Sequence, residues 1–212
     1  MPRRVTSWEG CAVVVLAGGR SRRMGHDKLA DTLAPAAGTT GPFTVLDAVL
    51  AGVPDDVEVV VVGPSRSTAR PVRTTREDPP GSGPAAGVGA GVRALTGTPE
   101  HVVVLAGDAP FGPAAVPALI AALRRDPHAD VAVAAPPDGP PQPLLAVYRR
   151  EALARTTTGQ LLHRPARALM DHLAVVVVPV AQEATLDVDT PADLEAARRA
   201  ARARLRGESV RA

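Results

Sequence analysis

Lys28 is the only lysine in this chain of 212 residues, and the other 23 of its 24 Lys and Arg residues are arginines. The ammonium group of lysine is compact and flexible, whereas the guanidinium group of arginine is planar and forked. A lysine retained in so arginine-rich a composition therefore indicates a role that a guanidinium does not fill. Lys28 ends a segment, residues 16–28, in which Gly18 and Gly19 directly follow an apolar run. Because glycine-rich loops after a strand cradle phosphates, we interpret Lys28 as a phosphate-binding or catalytic residue.

The loop that leads to Lys28 has the composition of a polyphosphate site. Its glycines allow the backbone to approach an anion closely, and three arginines, Arg23 among them, add positive charge. The loop is not a Walker A motif, since Gly25 is not followed by Lys and Ser or Thr, and it lacks the dinucleotide pattern Gly-x-Gly-x-x-Gly. We expect Lys28 to lie on a solvated part of the loop and to hold departing phosphates together with Arg23.

Carboxylates follow the later apolar runs of the sequence. Asp108 stands where it could hold a magnesium ion against phosphates, and it lies several residues too early to cap a helix that starts near Pro113. Asp78 precedes a Pro- and Gly-rich turn and is equally consistent with turn chemistry. Asp187 and Asp189 precede a helix start, where they either favour the helix N-terminus or supply a second carboxylate to a metal. The histidines show no metal-ligand spacing, and no Ser-His-Asp arrangement is visible.

The elements that position these groups alternate between short Val-rich runs and Ala/Leu/Arg-rich stretches. Nearly continuous apolar runs are typical of strands buried on both faces of a parallel sheet, so we predict a three-layer, Rossmann-like, doubly wound α/β fold. An additional strand, 144–148, is expected to be antiparallel. The predicted strands are 12–16, 58–62, 101–106, 131–135 and 174–180. The predicted helices are 43–51, 85–95, 113–125, 159–173 and 191–206, the last with Thr190 as N-cap.

Length and composition restrict the class of protein. Residues 1–206 suit a single domain, and 207–212 form a polar tail that we expect to be frayed. A net charge of +2 and an aromatic content of 2% disfavour a nucleic-acid partner. The single cysteine, Cys11, excludes an internal disulfide, and no apolar run is long enough to cross a bilayer. We therefore expect a cytoplasmic protein with neither nucleic-acid nor membrane partners.

Residues 16–28 (LAGGRSRRMGHDK) resemble the signature of nucleotidyltransferases that activate small phosphorylated compounds. Further features, in the same order along the chain, resemble those of molybdenum cofactor guanylyltransferases. The Gly-Pro-x-Ala-Gly turn is the feature that favours the guanylyl branch of this group. These features are Glu77-Asp78 leading to 83–87 (GPAAG), 107–111 (GDAPF), Gln142-Pro143 before the strand at 144–148, and 189–194 (DTPADL).

The resemblance implies a Rossmann-like fold, a magnesium cofactor, and the reaction of GTP with molybdopterin carrying molybdenum. The products would be the guanine dinucleotide form of the cofactor and pyrophosphate. The resemblance also implies transient contact with the enzymes that insert molybdenum or receive the cofactor. Lys28 would contact the phosphates, Asp78 the guanosine, and Asp108 both the metal and the nucleotide. Carried over by motif, the nucleotide-binding residues are Leu16, Ala17, Gly18, Gly19, Lys28, Asp78 and Asp108.

Some positions depart from the family pattern and leave alternatives open. Gly63, Asp187 and Asp189 stand where the family often has Asn, and this chain contains no Asn at all. Related cytidylyltransferases share Asp-x-Asp-Thr-Pro, although those of the isoprenoid pathway usually have Pro where this chain has Asp27. The alternatives are a cytidylyltransferase of the same cofactor, a nucleotidyltransferase for another phosphorylated metabolite, and a non-catalytic nucleotide-binding module on the same fold.

Overall fold

The structure, a computed structural model, describes residues 7–19, 23–33 and 43–205. Within these ranges, strands form one sheet with helices on both faces, as the sequence predicts. The strands are β1 (Cys11–Leu16), β2 (Glu58–Val62), β3 (Arg73–Thr75), β4 (His101–Ala106), β5 (Val131–Ala135), β6 (Leu145–Arg149) and β7 (Val175–Pro179). The α-helices are α1 (Val45–Ala51), α2 (Pro84–Ala94), α3 (Val116–Arg125), α4 (Arg150–Thr157) and α5 (Pro191–Leu205). The predicted tail, 207–212, lies outside the described residues.

The strand order across the sheet is β3-β2-β1-β4-β6-β5-β7. β1 pairs in parallel with both β2 and β4, so the carboxyl ends of these three strands lie side by side. β6 is antiparallel to both β4 and β5, which confirms the predicted antiparallel strand. β7 then pairs in parallel with β5 at the far edge. The loops after β1, β2 and β4 therefore meet at one rim of the sheet, where open α/β sheets bind ligands.

The hydrophobic core has two layers, one on each face of the sheet. Val13 and Val15 of β1 point into the layer that contains α1 and α3, and Val14 points into the layer that contains α2. This alternation follows from the period of two in a strand, and both faces are buried because helices cover both. The mostly parallel, three-layer α/β fold is confirmed.

Helix α2 packs unusually close to the sheet because glycines face it. A Cβ atom at Gly91 would lie 2.4 Å from Cγ1 of Val14, and one at Gly87 would lie 3.1 Å from Cδ2 of Leu16. Gly87 and Gly91 therefore let the helix pack against the sheet, and no added methyl group fits at Gly91 without a shift of the neighbouring valine side chains.

One element prediction is wrong, and two elements, α4 and β3, are not among those predicted from the sequence. The helix expected at 159–173 is absent as an α-helix: α4 instead starts directly at the end of β6, and a 3-10 helix, Ala166–Met170, follows a loop. His163 adopts a left-handed conformation with φ 58°, and Pro165 lacks an N–H group, so this segment cannot form a continuous helix. Strand β3 was missed because its residues are polar and largely exposed.

Among the helices in the described part of the chain, none combines the length and the apolar character needed to cross a bilayer.

Candidate active site

The loop after β1 forms one wall of a cavity of about 490 Å³ at the carboxyl rim of the sheet. Leu16, Gly18 and Gly19, which the resemblance implies to be nucleotide-binding residues, line this first cavity. Ala17 instead points into the core, where it is 1% exposed, and its backbone N–H donates to the carbonyl of Val62 at 2.7 Å. Ligand pockets commonly have volumes of 300–1,000 Å³, so a nucleotide is a suitable occupant.

Lys28 lies between two carboxylates, one of which, Asp108, lines the first cavity. Its Nζ is 2.6 Å from Oδ2 of Asp108 and 2.6 Å from Oδ1 of Asp189, and its side chain is 9% exposed. The expectation of a solvated position for Lys28 is therefore wrong. Its partners Asp108 and Asp189 lie about 80 and 161 residues further along the sequence, and they bury the ammonium group. Burial alone would lower the pKa of Lys28, but hydrogen bonds to the two carboxylates raise it above its ordinary value.

A short turn presents Lys28 to these partners. Residues Lys28–Ala30 form a 3-10 helix whose N-cap is Asp27, and the Asp27 carboxylate accepts a hydrogen bond from the Leu29 N–H at 3.3 Å. Such a cap is favourable because the first N–H groups of a helical turn have no partner within the turn. The backbone of this turn therefore determines where the ammonium group lies.

Arg23 contacts the same carboxylate cluster from the solvent side. Its Nη1 lies 3.2 Å from Oδ2 of Asp189, and its side chain is 74% exposed. An arginine as exposed as Arg23 could turn towards a bound phosphate at little cost, since exposed ion pairs are weak. The other two arginines of the loop, Arg20 and Arg22, lie outside the described residues.

The donor set of Asp108 and Asp189 suits a magnesium ion. Both carboxylates approach the same Lys28 nitrogen, so two oxygen ligands are already placed around one cationic position. Among the residues that the structure describes, no group of three or more His, Cys, Asp or Glu side chains is arranged to hold a metal. Mg²⁺ is usually bound by one or two carboxylates together with substrate phosphates. This pair could therefore supply the share of ligands that such a site takes from protein.

A second cavity, of about 260 Å³, adjoins the first. Asp108 and Leu144 line both cavities, whereas Gln142, Pro143 and Asp187 line only the second. The Gln142-Pro143 pair of the sequence motif is therefore part of a ligand-sized surface rather than of the core. Asp108 stands where an occupant of one cavity would meet an occupant of the other.

Asp187 carries a perturbed carboxyl group in the second cavity. Partial burial and the neighbouring carboxylates Asp108 and Asp189 raise the pKa of Asp187 to about 6. The segment around it is held to β4 by a hydrogen bond from the Val188 N–H to the Asp108 carbonyl at 2.9 Å. Asp187 therefore changes its charge close to neutral pH.

The start of α5 follows the sequence prediction. The Asp193 N–H donates to the Thr190 hydroxyl at 3.2 Å, and the Thr190 N–H donates back to the Asp193 carboxylate at 2.8 Å. This reciprocal pair is a capping box. The helix N-terminus thus has its own acidic partner in Asp193, and Asp189 turns towards Lys28.

Glu77, rather than Asp78, faces the first cavity. Asp78 is exposed and does not line the cavity, whereas Glu77 is 8% exposed and lines it. The Glu77 carboxylate accepts a hydrogen bond from the Gly81 N–H at 2.9 Å. The sequence placed both acids before the turn but gave no signal for which one points inward, since that depends on the path of the turn.

The loop after β2 passes closely under the loop after β1. A Cβ atom at Gly63, whose φ is 153°, would lie 2.5 Å from the carbonyl oxygen of Ala17. An Asn at this position therefore does not fit the observed backbone. The family departure at Gly63 thus has a structural cause here, which is the close contact between the two loops.

The fold is shared with solved nucleotidyltransferase structures. The structure of molybdopterin-guanine dinucleotide biosynthesis protein A from Archaeoglobus fulgidus superposes with a TM-score of 0.66, at 24% identity, over 90% of this chain and 98% of its own. The 2-C-methyl-D-erythritol 4-phosphate cytidylyltransferase of Francisella tularensis superposes with a TM-score of 0.64, at 15% identity, over 88% and 97%. The chain therefore has the α/β fold of nucleotidyltransferases.

The family is narrower than the fold. Residues 13–177 match the family model described as the MobA-like NTP transferase domain, and the chain belongs to this family. A probable molybdenum cofactor guanylyltransferase from Chloroflexus aggregans is 40% identical over 146 residues, which cover 66% of this chain and 66% of the relative. A protein of the same name from Mycobacterium bovis is 35% identical over 148 residues, which cover 69% of this chain and 72% of the relative.

Proposed function

We propose that this protein transfers GMP from GTP to the terminal phosphate of molybdopterin carrying molybdenum, which yields the guanine dinucleotide cofactor and pyrophosphate. The observation that carries the proposal is the position of Asp108 at the junction of two adjoining cavities, with Nζ of Lys28 2.6 Å from its carboxylate. A transferase must bring a donor and an acceptor together at one point, and this junction provides it. The names of the curated relatives support the choice of guanine and molybdopterin.

In this proposal, the first cavity takes the nucleotide and the second takes the acceptor. The glycine loop after β1 belongs only to the first cavity, and backbone approach to phosphates is the usual role of such a loop. Gln142 and Asp187 belong only to the second, where an amide and a carboxyl group suit a ligand with many hydrogen-bonding atoms. The acceptor phosphate would then enter beside Asp108.

The reaction makes few demands on proton transfer. The attacking group is a phosphate that is already anionic at neutral pH, so no general base is needed. Two anions must instead be brought together while charge builds up on the departing pyrophosphate. Lys28, with Arg23 beside Asp189, would neutralise that charge.

Magnesium is part of the same proposal. The ion would supply charge neutralisation and alignment of phosphate oxygens. Asp108 would hold it, with Asp189 as a second carboxylate, since both already surround the position of one cation. Lys28 would then be available to the phosphates of the nucleotide.

The test is a panel of reactions. Pyrophosphate release is measured from GTP, CTP, ATP and UTP, each with purified molybdopterin carrying molybdenum, with Mg²⁺ present or removed by a chelator. The proposal expects rapid release from GTP only when acceptor and Mg²⁺ are both present. Release that does not depend on molybdopterin would contradict the acceptor, and tight nucleotide binding without release would indicate a non-catalytic module.

A cytidylyltransferase of the same cofactor is the second candidate. Asp187 and Asp189 form the Asp-x-Asp-Thr-Pro sequence, which also occurs in cytidylyltransferases, and cytidylyltransferases share the fold. Gly63 adds to this case, because it leaves no side chain at a position where the guanylyl branch often has Asn. Preference for CTP over GTP in the same panel would select this candidate.

A further inference from the structure

Arg66 ties the loop after β2 to the nucleotide loop after β1. Its Nη1 donates to the carbonyl of Ala17 at 2.8 Å and to that of Pro64 at 3.1 Å. Its Nε and Nη2 donate to the two carboxylate oxygens of Asp27 at 2.7 and 3.2 Å. The Arg66 side chain is only 13% exposed. A guanidinium whose N–H groups make this many hydrogen bonds is fixed in one geometry. Its bidentate pair with the Asp27 carboxylate is the strongest form of an arginine–carboxylate contact.

The carboxylate that Arg66 holds also controls the turn that carries Lys28. Asp27 caps the 3-10 helix Lys28–Ala30 through the Leu29 N–H. A continuous set of contacts therefore runs from Arg66 through Asp27 to the backbone of Lys28. The same guanidinium reaches Ala17, which directly precedes the glycines that line the first cavity. Arg66 thus contacts both segments that would bind the triphosphate.

Arg66 also compensates an unfavourable charge. Asp27 directly precedes Lys28, and its side chain is 42% exposed beside the proposed triphosphate site. A free carboxylate at this position would repel an incoming polyphosphate. Burial favours the protonated form, but the hydrogen bonds from Arg66 hold the pKa of Asp27 below its ordinary value, so Asp27 stays a carboxylate whose charge the Arg66 guanidinium balances.

We propose that Arg66 is a positioning residue: through Asp27 and Ala17 it sets the Lys28 turn and the glycine loop in their triphosphate-binding arrangement, and it prevents Asp27 from repelling the substrate. This inference rests on the proposed function, because it assumes that the first cavity takes a nucleoside triphosphate. Arg66 itself would not contact the reacting atoms. Gly63 makes the arrangement feasible, since the absence of its side chain lets the Arg66 loop pass against Ala17.

The chain provides a matched control in Arg70. This arginine lies four residues further along, and its side chain is 18% exposed. Its Nη1 donates to the carbonyl of Val53 at 2.9 Å, and its Nη2 donates to that of Asp55 at 3.2 Å, both just after α1. Arg70 therefore has similar burial and a similar number of bonds to Arg66, but its bonds fix the end of α1 rather than the nucleotide loop.

The experiment compares Arg66→Met, Arg70→Met, Asp27→Asn and the double variant Arg66→Met/Asp27→Asn. For each, thermal unfolding without ligand, the Kd of Mg-GTP, and kcat and KM for GTP are measured. We expect Arg66→Met to lower kcat/KM about 100-fold, as a misplaced phosphate-binding group does, and Arg70→Met to lower it less than about threefold. Asn caps a turn as well as Asp but carries no charge, so the double variant should bind Mg-GTP more tightly than Arg66→Met.

Several outcomes overturn the inference. Equal losses of kcat/KM in the Arg66 and Arg70 variants at equal losses of Tm would make Arg66 a purely structural residue. Effects of Arg66→Met and Asp27→Asn that simply add would show that the two residues do not act as a unit. If Arg66→Met does not fold, the same comparison is made with Arg66→Lys and Arg70→Lys. These variants keep the positive charge but cannot make the bidentate hydrogen bonds of a guanidinium.

Failure of the proposed function is distinguishable from failure of this inference. A wild-type chain that prefers CTP contradicts guanylyl transfer, and the Arg66-to-Arg70 comparison is then made with the Kd and kcat/KM for CTP. A wild-type chain that releases no pyrophosphate but binds Mg-GTP leaves the comparison of Kd values, where Arg66→Met is still expected to be weaker than Arg70→Met. A wild-type chain that binds no nucleoside triphosphate overturns both.

Discussion

Replacement of Lys28 by alanine removes the cation that Asp108 and Asp189 share, and the structure sets the size of the effect on activity. Loss of one preorganised charge-stabilising donor lowers turnover by about 100-fold or more, which corresponds to about 2.7 kcal/mol. In the proposed mechanism, Lys28 is the buried cation that neutralises charge on the departing pyrophosphate, and this variant removes it. We therefore expect kcat for pyrophosphate release to fall at least to this extent, with GTP and molybdopterin both saturating.

The same variant should also lose stability, because Lys28 is buried rather than solvated. A hydrogen bond to a charged group contributes about 1.5–3 kcal/mol, but water compensates part of the loss at Asp189, whose side chain is 48% exposed. A net loss of about 2 kcal/mol would lower the Tm of a chain of this length by about 4–8 °C. Thermal unfolding without nucleotide measures this value directly.

Lys28→Arg separates charge from shape. A guanidinium keeps the positive charge, but it is planar and larger than an ammonium group. It does not fit the narrow site between the carboxylates of Asp108 and Asp189. We expect Lys28→Arg to recover part of the lost Tm while kcat stays at least about tenfold below that of the wild type. A wild-type kcat for Lys28→Arg would refute the argument from the ammonium group. Near-normal turnover by Lys28→Ala would refute the whole assignment of the site.

Further predictions concern the metal, the loop contact and the pH dependence of stability. Asp108→Asn should lose Mg²⁺-dependent pyrophosphate release, and an unchanged magnesium titration would place the ion elsewhere. Gly63→Ala should destabilise the protein by more than about 1 kcal/mol in urea unfolding, since its Cβ would lie 2.5 Å from a carbonyl oxygen. Gly19→Ala is the matched control with nothing within 4 Å of the added Cβ, and equal losses would contradict the contact. Because the pKa of Asp187 rises from 3.8 unfolded to about 6 folded, wild-type stability should fall as pH rises through this window, and Asp187→Asn should abolish that fall. A pH dependence unchanged by Asp187→Asn would assign it to other groups.

The sheet could be predicted from sequence because its strands are runs of valine flanked by loops. Each predicted strand agrees with the structure to within one residue at either end, as in β1 and β4. β3 has no apolar run to reveal it, and it forms because β2 offers it a parallel edge. The segment 159–173 has apolar residues at helical spacing, but the loop geometry at His163 and Pro165 overrides that pattern.

The site could be predicted only as far as local motifs extend. The glycine loop, Lys28 and Asp108 each follow a strand that ends at the same rim of the sheet. The order of the strands therefore predicts that these residues lie close together. The burial of Lys28 and the contacts of Arg66 depend on residues far away in sequence, and no short pattern contains them. The choice between Glu77 and Asp78 depends on side-chain direction in a turn, which residue type alone does not determine.

The chain divides just after β4 into an early part and a late part with different tasks at the cleft, and in the sheet β6 lies between the early strands and the late strands β5 and β7. Apart from Leu144, the walls of the first cavity come from residues up to Asp108, and those of the second come from Ala106 onward. A change of ligand in either cavity therefore needs substitutions in only one continuous stretch of the gene. Chimaeras of related transferases joined just after β4 would exchange one specificity while leaving the other intact, so this architecture is suited to acquiring new acceptors stepwise.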